Sequence, residues 1–430
     1  MKNEKAYERR WKAIQLYEKG YGFDQILQLV RRSRGWLSKW LSRYCQEGKE
    51  GLQDQSRVPK RVWRKTPEWM VRKILAIRDW LESHNARRSA FSGIGAEVIQ
   101  WELRRRRIKK IPAIPTIARI LSRSGRVRKK KVGRISSGRP YPYVPAKTVG
   151  DLHQTDLVGP VYLRGPKGVT RFYSFHSVDV AGHTAFISHF TNKQTISLCH
   201  HLVGTWRALG VPKVSQIDNE MAAAGGGRYP YSLSQVIRLH LLLGTHLVFI
   251  SQGEPGRNAT VESFNGLWKE RVLRRHQCPT LQALRKTSER FLRYYHYEKP
   301  HRALKQKDHG TRYPGILRDR IWNSLRHLPP GFRLDVYKDG RGHLDLPVTK
   351  GKVSFIRKVD AYGSIEVKGK AYFIRRKLEG QYVTAKIFPH RKRLVVKHEK
   401  RLIKSFPFII QGQVVRSLLP DLPKNAKHQL

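Results

Sequence analysis

The sequence predicts a multidomain protein with helical domains at the N-terminus, a mixed α/β domain in the centre and short strands toward the C-terminus. Three observations support this fold class. Apolar residues recur at helical spacing before residue 126, strands alternating with helices begin near residue 150, and residues 331–411 are strand-like without a helical pattern. At 430 residues the chain is too long for one compact core, so several domains are expected.

The charge balance indicates a polyanionic partner. The chain carries 86 Lys and Arg residues against 32 Asp and Glu residues, a formal net charge of +54. The positive charge is spread along nearly the whole length, which favours nucleic acid over a membrane surface. A packaging-type protein that binds through charge alone fits less well, because such proteins rarely show several ordered strand patterns.

Cysteine usage and hydropathy exclude other classes. The three cysteines are widely separated and form no CxxC motif or Cys/His cluster, so neither a disulfide framework nor a structural zinc site is expected. The first residues lack the apolar core of a signal peptide, and no apolar run approaches the roughly 20 residues of a membrane span. We therefore expect a reducing compartment in which DNA is accessible, and no membrane partner.

Residues 1–58 are predicted to form a helix-turn-helix domain of three short helices. Ser33 can cap the third helix. The apolar positions of that helix recur at helical spacing and are Trp36, Leu37, Trp40, Leu41 and Tyr44. A short basic outer face suits a helix that enters the major groove, although an ordinary solvated helix is the alternative. The candidate DNA-binding residues on the outer face are Arg34, Ser38, Lys39 and Arg43.

Residues 62–126 are predicted to form a second helix-turn-helix domain. The run Thr66-Pro67-Glu68 is a typical helix start, with an N-cap residue, a first-turn proline and a first-turn acid. Two further helices are predicted over residues 96–103 and 116–124, and Gly125 can end the second of them. The candidate DNA-binding residues of this domain are Arg119 and Arg123.

Residues 127–148 are predicted to be a basic linker that follows DNA. Charge runs of this kind bind phosphate groups without reading bases. The stretch from Gly133 to Pro145 is too rich in Gly and Pro to be helical. The candidate DNA-binding residues of the linker are Arg128, Lys129 and Lys130.

Residues 149–300 are predicted to form an α/β domain with a mixed sheet. Three successive strands, over residues 153–158, 171–179 and 185–190, suggest an antiparallel meander. Strands and helices alternate after it, which predicts a mixed sheet with helices packed against it.

Residues 301–330 are predicted to be a connector that leads to a C-terminal domain. Residues 331–411 contain short strands separated by Gly or charged turns, and a small β-barrel is the natural arrangement for them. The Lys and Arg residues of this barrel suggest a further DNA contact, with a solvated surface as the alternative. Residues 412–430 are predicted to be a tail.

Three acids stand out because acids are scarce in this chain. Asp156 and Asp218 lie in apolar strand contexts, and Glu262 falls near the start of a predicted helix. Two strand-borne aspartates and one helix-borne glutamate are what a two-metal phosphoryl-transfer site needs. Ligands that are all oxygen suit Mg²⁺ or Mn²⁺, so we expect two such ions held by these three candidate catalytic residues.

The central region resembles the integrase core of DDE transposases, the group that contains retroviral integrases and many bacterial insertion-sequence transposases. The segments that carry the resemblance are Thr155-Asp156, Ile217-Asp218-Asn219 and the run from Asn258 to Asn265. The resemblance implies an RNase H-like fold in which Asp156, Asp218 and Glu262 hold the two metal ions. Tandem helix-turn-helix domains before the core are usual in insertion-sequence transposases.

The identity of the third acid has an alternative. Glu254 leaves 35 residues after Asp218, which is the common spacing in the group, whereas Glu262 leaves 43. We favour Glu262 because Glu254 lies in a Gly-Pro-Gly turn that is expected to hold its carboxylate loosely. A surface insertion in the glycine-rich stretch 222–230 can account for the extra residues. On the predicted helix, Val261, Phe264 and Trp268 form the buried stripe, with Glu262 on another face.

Three other acids lie near these positions. Glu220 stands where similar proteins often have Gly, and its role is left open. Asp179 is predicted to serve a turn rather than the metal ions, and Asp151 is a weaker candidate still.

The resemblance implies a transposase that binds terminal inverted repeats, cleaves at the 3′ ends of its element and joins the 3′-hydroxyl to target DNA. Its partners would be double-stranded DNA and further copies of itself, as a dimer or tetramer on DNA, in a nucleoid-associated location in the bacterial cytoplasm. A helper ATPase is not indicated. The alternatives are a catalytically inactive DNA-binding regulator and, less favoured, a simple nuclease. Further candidate DNA-binding residues near the site are Arg257, Asn265 and Lys269.

Overall fold

The computed structural model describes residues 2–55, 66–84, 89–127, 138, 140–166, 168–218, 231–306 and 310–410. The chain divides into two compact units, Met1–Pro67 and Glu68–Leu430. No helix among the described residues is long and apolar enough to cross a membrane. The candidate linker residues Arg128, Lys129 and Lys130, the acid Glu220 and the glycine-rich stretch 222–230 lie outside the described residues.

The first unit contains the three predicted helices, α1 (Lys2–Glu18), α2 (Phe23–Val30) and α3 (Arg34–Glu47), followed by a 3₁₀ turn over Gly48–Leu52. The Ser33 side chain accepts a hydrogen bond from the Trp36 amide at 3.3 Å, which confirms the predicted cap of α3. The fully buried residues of its small core are Ala13, Ile14, Ile26, Leu37 and Leu52.

The second unit begins with another group of three helices, α4 (Glu68–Ser83), α5 (Ala96–Arg105) and α6 (Ile114–Arg123). Gly125 follows α6 with a φ of 68°, the left-handed conformation that favours glycine at a helix end. The fully buried residues of this group are Ile74, Ile77, Leu81, Ile99, Leu103 and Ile117. The helices therefore lie where the sequence predicts them, with one apolar face each turned inward.

This three-helix group is docked on the α/β domain that follows it. The Phe91 ring lies 5.8 Å from the Phe291 ring, within an apolar cluster of the domain. The Arg275 guanidinium donates to the Ser92 carbonyl at 2.9 Å and pairs with Glu270 at 2.6 Å. Apolar packing and a charged tie thus hold the group against the domain.

The α/β domain contains the predicted meander and the predicted parallel strands. The antiparallel strands are β1 (Leu152–Gly165), β2 (Gly168–Asp179) and β3 (Ala185–Phe190). β4 (Val214–Ile217) runs parallel to β1, and β5 (His246–Phe249) runs parallel to β4. The sheet is therefore mixed, as predicted.

Four helices accompany this sheet, and their bounds agree with the predicted ones to within a few residues. Trp206 and Trp268, from two of these helices, are fully buried. A π-helical turn, Lys269–Leu273, continues the third helix. The four helices are α7 (Thr195–Leu209), α8 (Gln235–Leu242), α9 (Ala259–Trp268) and α10 (Leu281–Tyr297).

The predicted connector contains regular elements that the sequence pattern did not reveal. They are β6 (His301–Gln306), β7 (Gly310–Arg312) and α11 (Pro314–Ile321). β6 and β7 pair with each other in a two-stranded sheet. Both strands are short and polar, so they carry little of the apolar alternation from which strands are predicted.

The C-terminal strands continue the sheet of the α/β domain, and a separate small β-barrel is not confirmed. These strands are β8 (Val353–Lys358), β9 (Ser364–Val367), β10 (Lys370–Phe373), β11 (Tyr382–Phe388), β12 (Arg393–His398) and β13 (Arg401–Pro407). β8 pairs in parallel with β5, and the sheet runs in the open order β13-β12-β11-β8-β5-β4-β1-β2-β3. β9 and β10 pair with each other in a separate two-stranded sheet.

Several histidines of the α/β domain are buried in the neutral form. The His201 ring lies between the hydroxyls of Ser177 and Ser188, at 2.8 and 2.7 Å. The His246 ring contacts the Ser354 hydroxyl at 2.8 Å. Burial lowers the pKa of His201 well below its usual value, and it lowers that of His240 to about 4 and that of His246 to about 3.

We expect these histidines to make the protein labile to acid. Their pKa values are depressed in the folded state, so the unfolded chain binds more protons than the folded protein below about pH 6.5. The free energy of unfolding therefore decreases as the pH is lowered through that range. Each fully buried histidine contributes about 1.4 kcal/mol per pH unit over that range. Urea unfolding between pH 7.5 and 5.0 should show a smaller pH slope for His240→Leu than for the wild-type protein, and an equal slope would contradict this expectation.

Candidate active site

Two of the predicted acids come directly after register partners on adjacent parallel strands. Thr155 in β1 and Ile217 in β4 are these partners, so Asp156, within β1, and Asp218, just after β4, lie at the same level. β2 covers the other side of β1, where His176 is the register partner of Asp156. The parallel register therefore brings together two acids that are far apart in the sequence.

Asp156 lies in an environment that disfavours its charged form. Burial raises the pKa of its carboxyl group to about 6, and the nearby negative charges of Asp218 and Glu262 add to that effect. The Leu157 backbone amide and the Asn265 side chain oppose it. Asp218 and Glu262 therefore lie near enough for their charges to act on Asp156.

The amide of Asn265 holds the Asp156 carboxylate from α9. Asn265 Nδ2 donates to Asp156 Oδ2 at 2.7 Å, and Asn265 Oδ1 lies 2.6 Å from Nδ1 of His176. Burial lowers the pKa of His176 to about 3, so its ring is neutral and Nδ1 carries the proton that Asn265 accepts. The His176 ring packs edge-on against the Trp268 ring, and the two ring centroids lie 4.7 Å apart. The hydrogen bond from His176 to Asn265 Oδ1 orients the Asn265 amide so that its NH₂ group faces Asp156.

The start of α9 is tied to β1 by a side-chain amide. Gln154 Oε1 accepts hydrogen bonds from the backbone N–H groups of Thr260 and Val261, at 3.1 and 3.3 Å. The first N–H groups of a helix have no partner within the helix, so Gln154 supplies the acceptor that they need. The helix that carries Glu262 therefore begins at a fixed place on the strand that leads to Asp156.

A second set of amides ties the same turn to β4. Gln216 Nε2 donates to the Arg257 carbonyl at 2.8 Å and to Asn258 Oδ1 at 2.9 Å. Asn258 Nδ2 donates to the Thr155 carbonyl at 3.3 Å. The residues just before both aspartates, in β1 and β4, thus contact the turn before α9.

Glu262 lies in the first turn of α9 and is half-buried. The positive end of the helix favours a carboxylate at that position. Val261, Phe264 and Trp268 are buried, which confirms the predicted apolar stripe. The stripe anchors α9 and leaves Glu262 at the edge of the core, on the side of Asp156.

Glu254 is held more firmly than the sequence indicated, and this corrects our expectation of a loose carboxylate. It pairs with Arg257 at 2.9 Å and accepts a hydrogen bond from the Tyr382 hydroxyl. Although burial opposes the shift, these two partners lower the pKa of Glu254. Its carboxylate is therefore engaged on the side of the C-terminal strands.

Two other acids serve the fold. The buried Asp179 carboxylate accepts hydrogen bonds from the backbone N–H groups of Gly150 and Gly182, so it organises a turn, as predicted. Asp151 accepts from the Thr148 amide at 2.8 Å and pairs with Lys213 at 2.8 Å.

The candidate DNA-binding residues near the site differ in their exposure and in their contacts. Arg257 stacks on Tyr141, with its guanidinium carbon 4.0 Å from the ring centroid, and pairs with Glu254, so it is half-buried and engaged. Asn265 is only 5% exposed and is bound to Asp156 and His176, so its burial does not support contact with DNA. Lys269 is exposed at the end of α9.

The candidates on the helical domains lie mostly at the surface. On α3, Arg34, Ser38 and Lys39 are exposed, and Arg43 is half-buried with its guanidinium carbon 5.0 Å from the Trp40 ring. Arg119 and Arg123 are exposed on α6. These positions are open to a partner, and their contact with DNA stays a prediction.

The donors of the acid group fit a hard divalent cation, because all of them are carboxylate oxygens and their negative charges repel one another. No three His, Cys, Asp or Glu side chains within the described ranges are already arranged around a metal position.

Comparison with known families and structures now bears on this arrangement. Residues 5–53 match a homeodomain-like domain, and residues 243–308 match the integrase core domain, a segment that contains both Glu254 and Glu262. The chain therefore contains a helix-turn-helix-like domain and an integrase-like core.

Solved structures with some similarity are retroviral integrases. The catalytic core domain of HTLV-2 integrase in complex with magnesium is 16% identical, with a TM-score of 0.28 over 39% of this chain and 95% of that one. The intasome of simian T-cell lymphotropic virus in complex with PP2A regulatory subunit B56 gamma is 12% identical, with a TM-score of 0.32 over 79% of this chain and 99% of that one. The core domain of BIV integrase is 11% identical, with a TM-score of 0.30 over 41% and 97%.

We expect Gln154 to act on the site through α9. Gln154→Ala would remove the acceptor of two helix N–H groups and lower the free energy of unfolding by about 1 kcal/mol. Thr280→Ala is the matched control, because Thr280 caps α10 by accepting from the Ala283 amide at 3.1 Å. Urea unfolding should show similar losses for both variants. Hydrogen exchange at the first amides of α9 should become faster in Gln154→Ala and stay unchanged in Thr280→Ala, and equal exchange in the two variants would contradict this positioning role.

Proposed function

We propose that this protein is a DNA transposase that cleaves at the 3′ ends of its element and joins the 3′-hydroxyl to target DNA. The observation that carries the proposal is the parallel register that sets Asp156 and Asp218 at the same level on neighbouring strands, next to the helix that carries Glu262 and is tied to β1 by Gln154. The net charge of +54 and the homeodomain-like match support DNA as the substrate.

The three carboxylates would hold two Mg²⁺ or Mn²⁺ ions. When bound, such ions supply activation of a nucleophilic oxygen and stabilisation of the leaving oxygen in an in-line displacement. The protein contributes the positions of the ligands. Asn265 fixes one Asp156 oxygen, and Gln154 fixes the start of the helix that carries Glu262.

The flanking elements would supply DNA recognition. We propose that the exposed basic faces of α3 and α6 read the terminal repeats, the former through Arg34, Ser38 and Lys39. Lys269 would contact DNA beside the site. Two element ends must be held together for joining, so a dimer or tetramer on DNA is the expected assembly. Binding should weaken steeply with salt, because phosphate contacts release counterions.

The central test is a joining assay with purified full-length protein, Mg²⁺, oligonucleotides that carry the element ends and a plasmid target. Asp156→Asn should reduce joining by at least about a hundredfold, because a metal ligand contributes several kcal/mol to the transition state. End binding in a gel-shift assay should persist. End binding without joining by the wild-type protein would instead support the catalytically inactive regulator.

A pair of matched substitutions tests the third acid. Glu262→Gln should abolish joining, because it removes a carboxylate that acts on Asp156. Glu254→Gln should retain most of the joining, since Glu254 is engaged by Arg257 and Tyr382. Thermal melts of both variants check that each is folded. The reverse pattern, with joining lost only in Glu254→Gln, would assign the third ligand to Glu254.

A further inference from the structure

A short strap, residues 141–144, presents one exposed aromatic side chain beside the α/β domain. Tyr143 is 79% exposed, whereas Tyr141 and Val144 on either side of it pack against an apolar cluster of the sheet. Pro142 directly precedes Tyr143, and proline restricts the backbone at its own position and at the one before it. The Tyr143 ring is therefore held toward solvent by neighbours that are anchored.

Tyr141 ties the strap to the turn that leads into α9. Its hydroxyl accepts a hydrogen bond from the Ser251 amide at 3.1 Å, and its ring centroid lies 5.0 Å from that of Tyr382 in β11. The Arg257 guanidinium carbon lies 4.0 Å from the Tyr141 ring centroid, and Arg257 belongs to the 3₁₀ turn that immediately precedes α9. The strap therefore has a fixed place beside the start of the helix that carries Glu262.

The strap and α9 lie on the same face of the sheet. Gln154 in β1, Gln216 in β4 and Val248 in β5 are register partners across parallel strands, so their side chains point to one face. Gln154 binds the start of α9, and Val248 belongs to the apolar cluster against which the strap packs. The strap therefore places Tyr143 on the face of the sheet that also carries α9.

The charge of the surrounding segment indicates which molecule the ring would meet. Residues 127–148 include the strap and contain several Lys and Arg residues but no Asp or Glu. Basic residues follow the phosphates of a nucleic acid, and an aromatic ring beside them offers a surface on which a base stacks. Bases inside a duplex already stack on their neighbours, so an unpaired base is the one with a face free for Tyr143.

We propose that Tyr143 stacks on an unpaired base at the DNA end that is brought to the three acids. This inference rests on the proposed function, because it takes the acids as the place where a DNA end is held. Stacking would hold the reacting strand in a fixed orientation beside Asp156, and an oriented substrate has a lower barrier to reaction. The strap then binds a base as well as phosphates.

The test is DNA binding by the full-length protein in Ca²⁺, which occupies oxygen ligands so that the acids do not repel the DNA. Duplexes of one element-end sequence carry 2-aminopurine at the 3′ end, which is either paired in a blunt end or left unpaired. Tyr143→Ala should weaken binding of the unpaired end by roughly tenfold and abolish the quenching of 2-aminopurine, because the stacked ring is lost. Tyr143→Phe keeps the ring and should stay within about twofold of the wild-type Kd. The blunt duplex should bind the wild type and Tyr143→Ala alike.

Tyr162→Ala is the matched control. Tyr162 in β1 is 60% exposed, and its register partner Arg171 precedes Phe172 in β2. Phe172 is buried in the apolar cluster that contains Trp268 of α9, so Tyr162 lies on the opposite face of the sheet. Tyr162→Ala should leave the Kd and the 2-aminopurine signal unchanged. Both tyrosines are exposed, so their alanine variants should fold, and thermal melts check this.

Three results would overturn the inference. One is an unchanged Kd for the unpaired end in Tyr143→Ala. Another is an equal loss for the blunt duplex, which would make the contact independent of an unpaired base. The third is a changed oligomeric state of Tyr143→Ala in analytical ultracentrifugation, which would assign the ring to a contact between copies of the chain.

The joining assay with Mg²⁺ separates this inference from the proposed function. If the wild type joins DNA and Tyr143→Ala binds unpaired ends as tightly as the wild type, only the inference is wrong. If the wild type binds unpaired ends through Tyr143 but joins no DNA, the proposed function is wrong and the base contact stands.

Discussion

The α/β unit depends on one row of register partners that crosses four parallel strands. Thr155, Ile217, Phe249 and Phe355 are paired in sequence across β1, β4, β5 and β8. A slip of one residue in any pair would turn the following side chain to the other face of the sheet. The Phe249 and Phe355 rings stack with their centroids 4.8 Å apart. This apolar packing in the core stabilises the register and thereby fixes the positions of the polar residues that follow.

Neutral amides hold the site together, and this choice of residues has an electrostatic reason. Gln154, Gln216, Asn258 and Asn265 connect the two strands to α9 without adding charge. A lysine or arginine in direct contact with each carboxylate would neutralise the group before a cation arrived. Amides fix the geometry while leaving the negative charge in place. Burial raises the pKa of Asp156, the charges of Asp218 and Glu262 add to that effect, and the Asn265 amide opposes it.

Local patterns predicted most of the elements, and long-range contacts explain what they missed. The α10 bounds, the meander and the cap of α3 follow from apolar spacing and a single serine, which are local signals. The role of Asn265 depends on His176, which is 89 residues away in sequence, so no local pattern reveals it. The pairing of β8 with β5 is likewise non-local, and the strands alone were equally compatible with a separate barrel.

Asp156 differs from several other acids of this basic chain in its hydrogen-bond partner. Asp54, Asp79, Glu254 and Glu270 each pair with an arginine at 2.6 to 2.9 Å. Such pairing is what a large excess of positive charge produces by default. Asp156 instead receives a neutral amide and the influence of two further acids. The repulsion among these acids is relieved by a proton on Asp156 or by a bound cation, and a cation would do so while leaving the Asn265 contact in place.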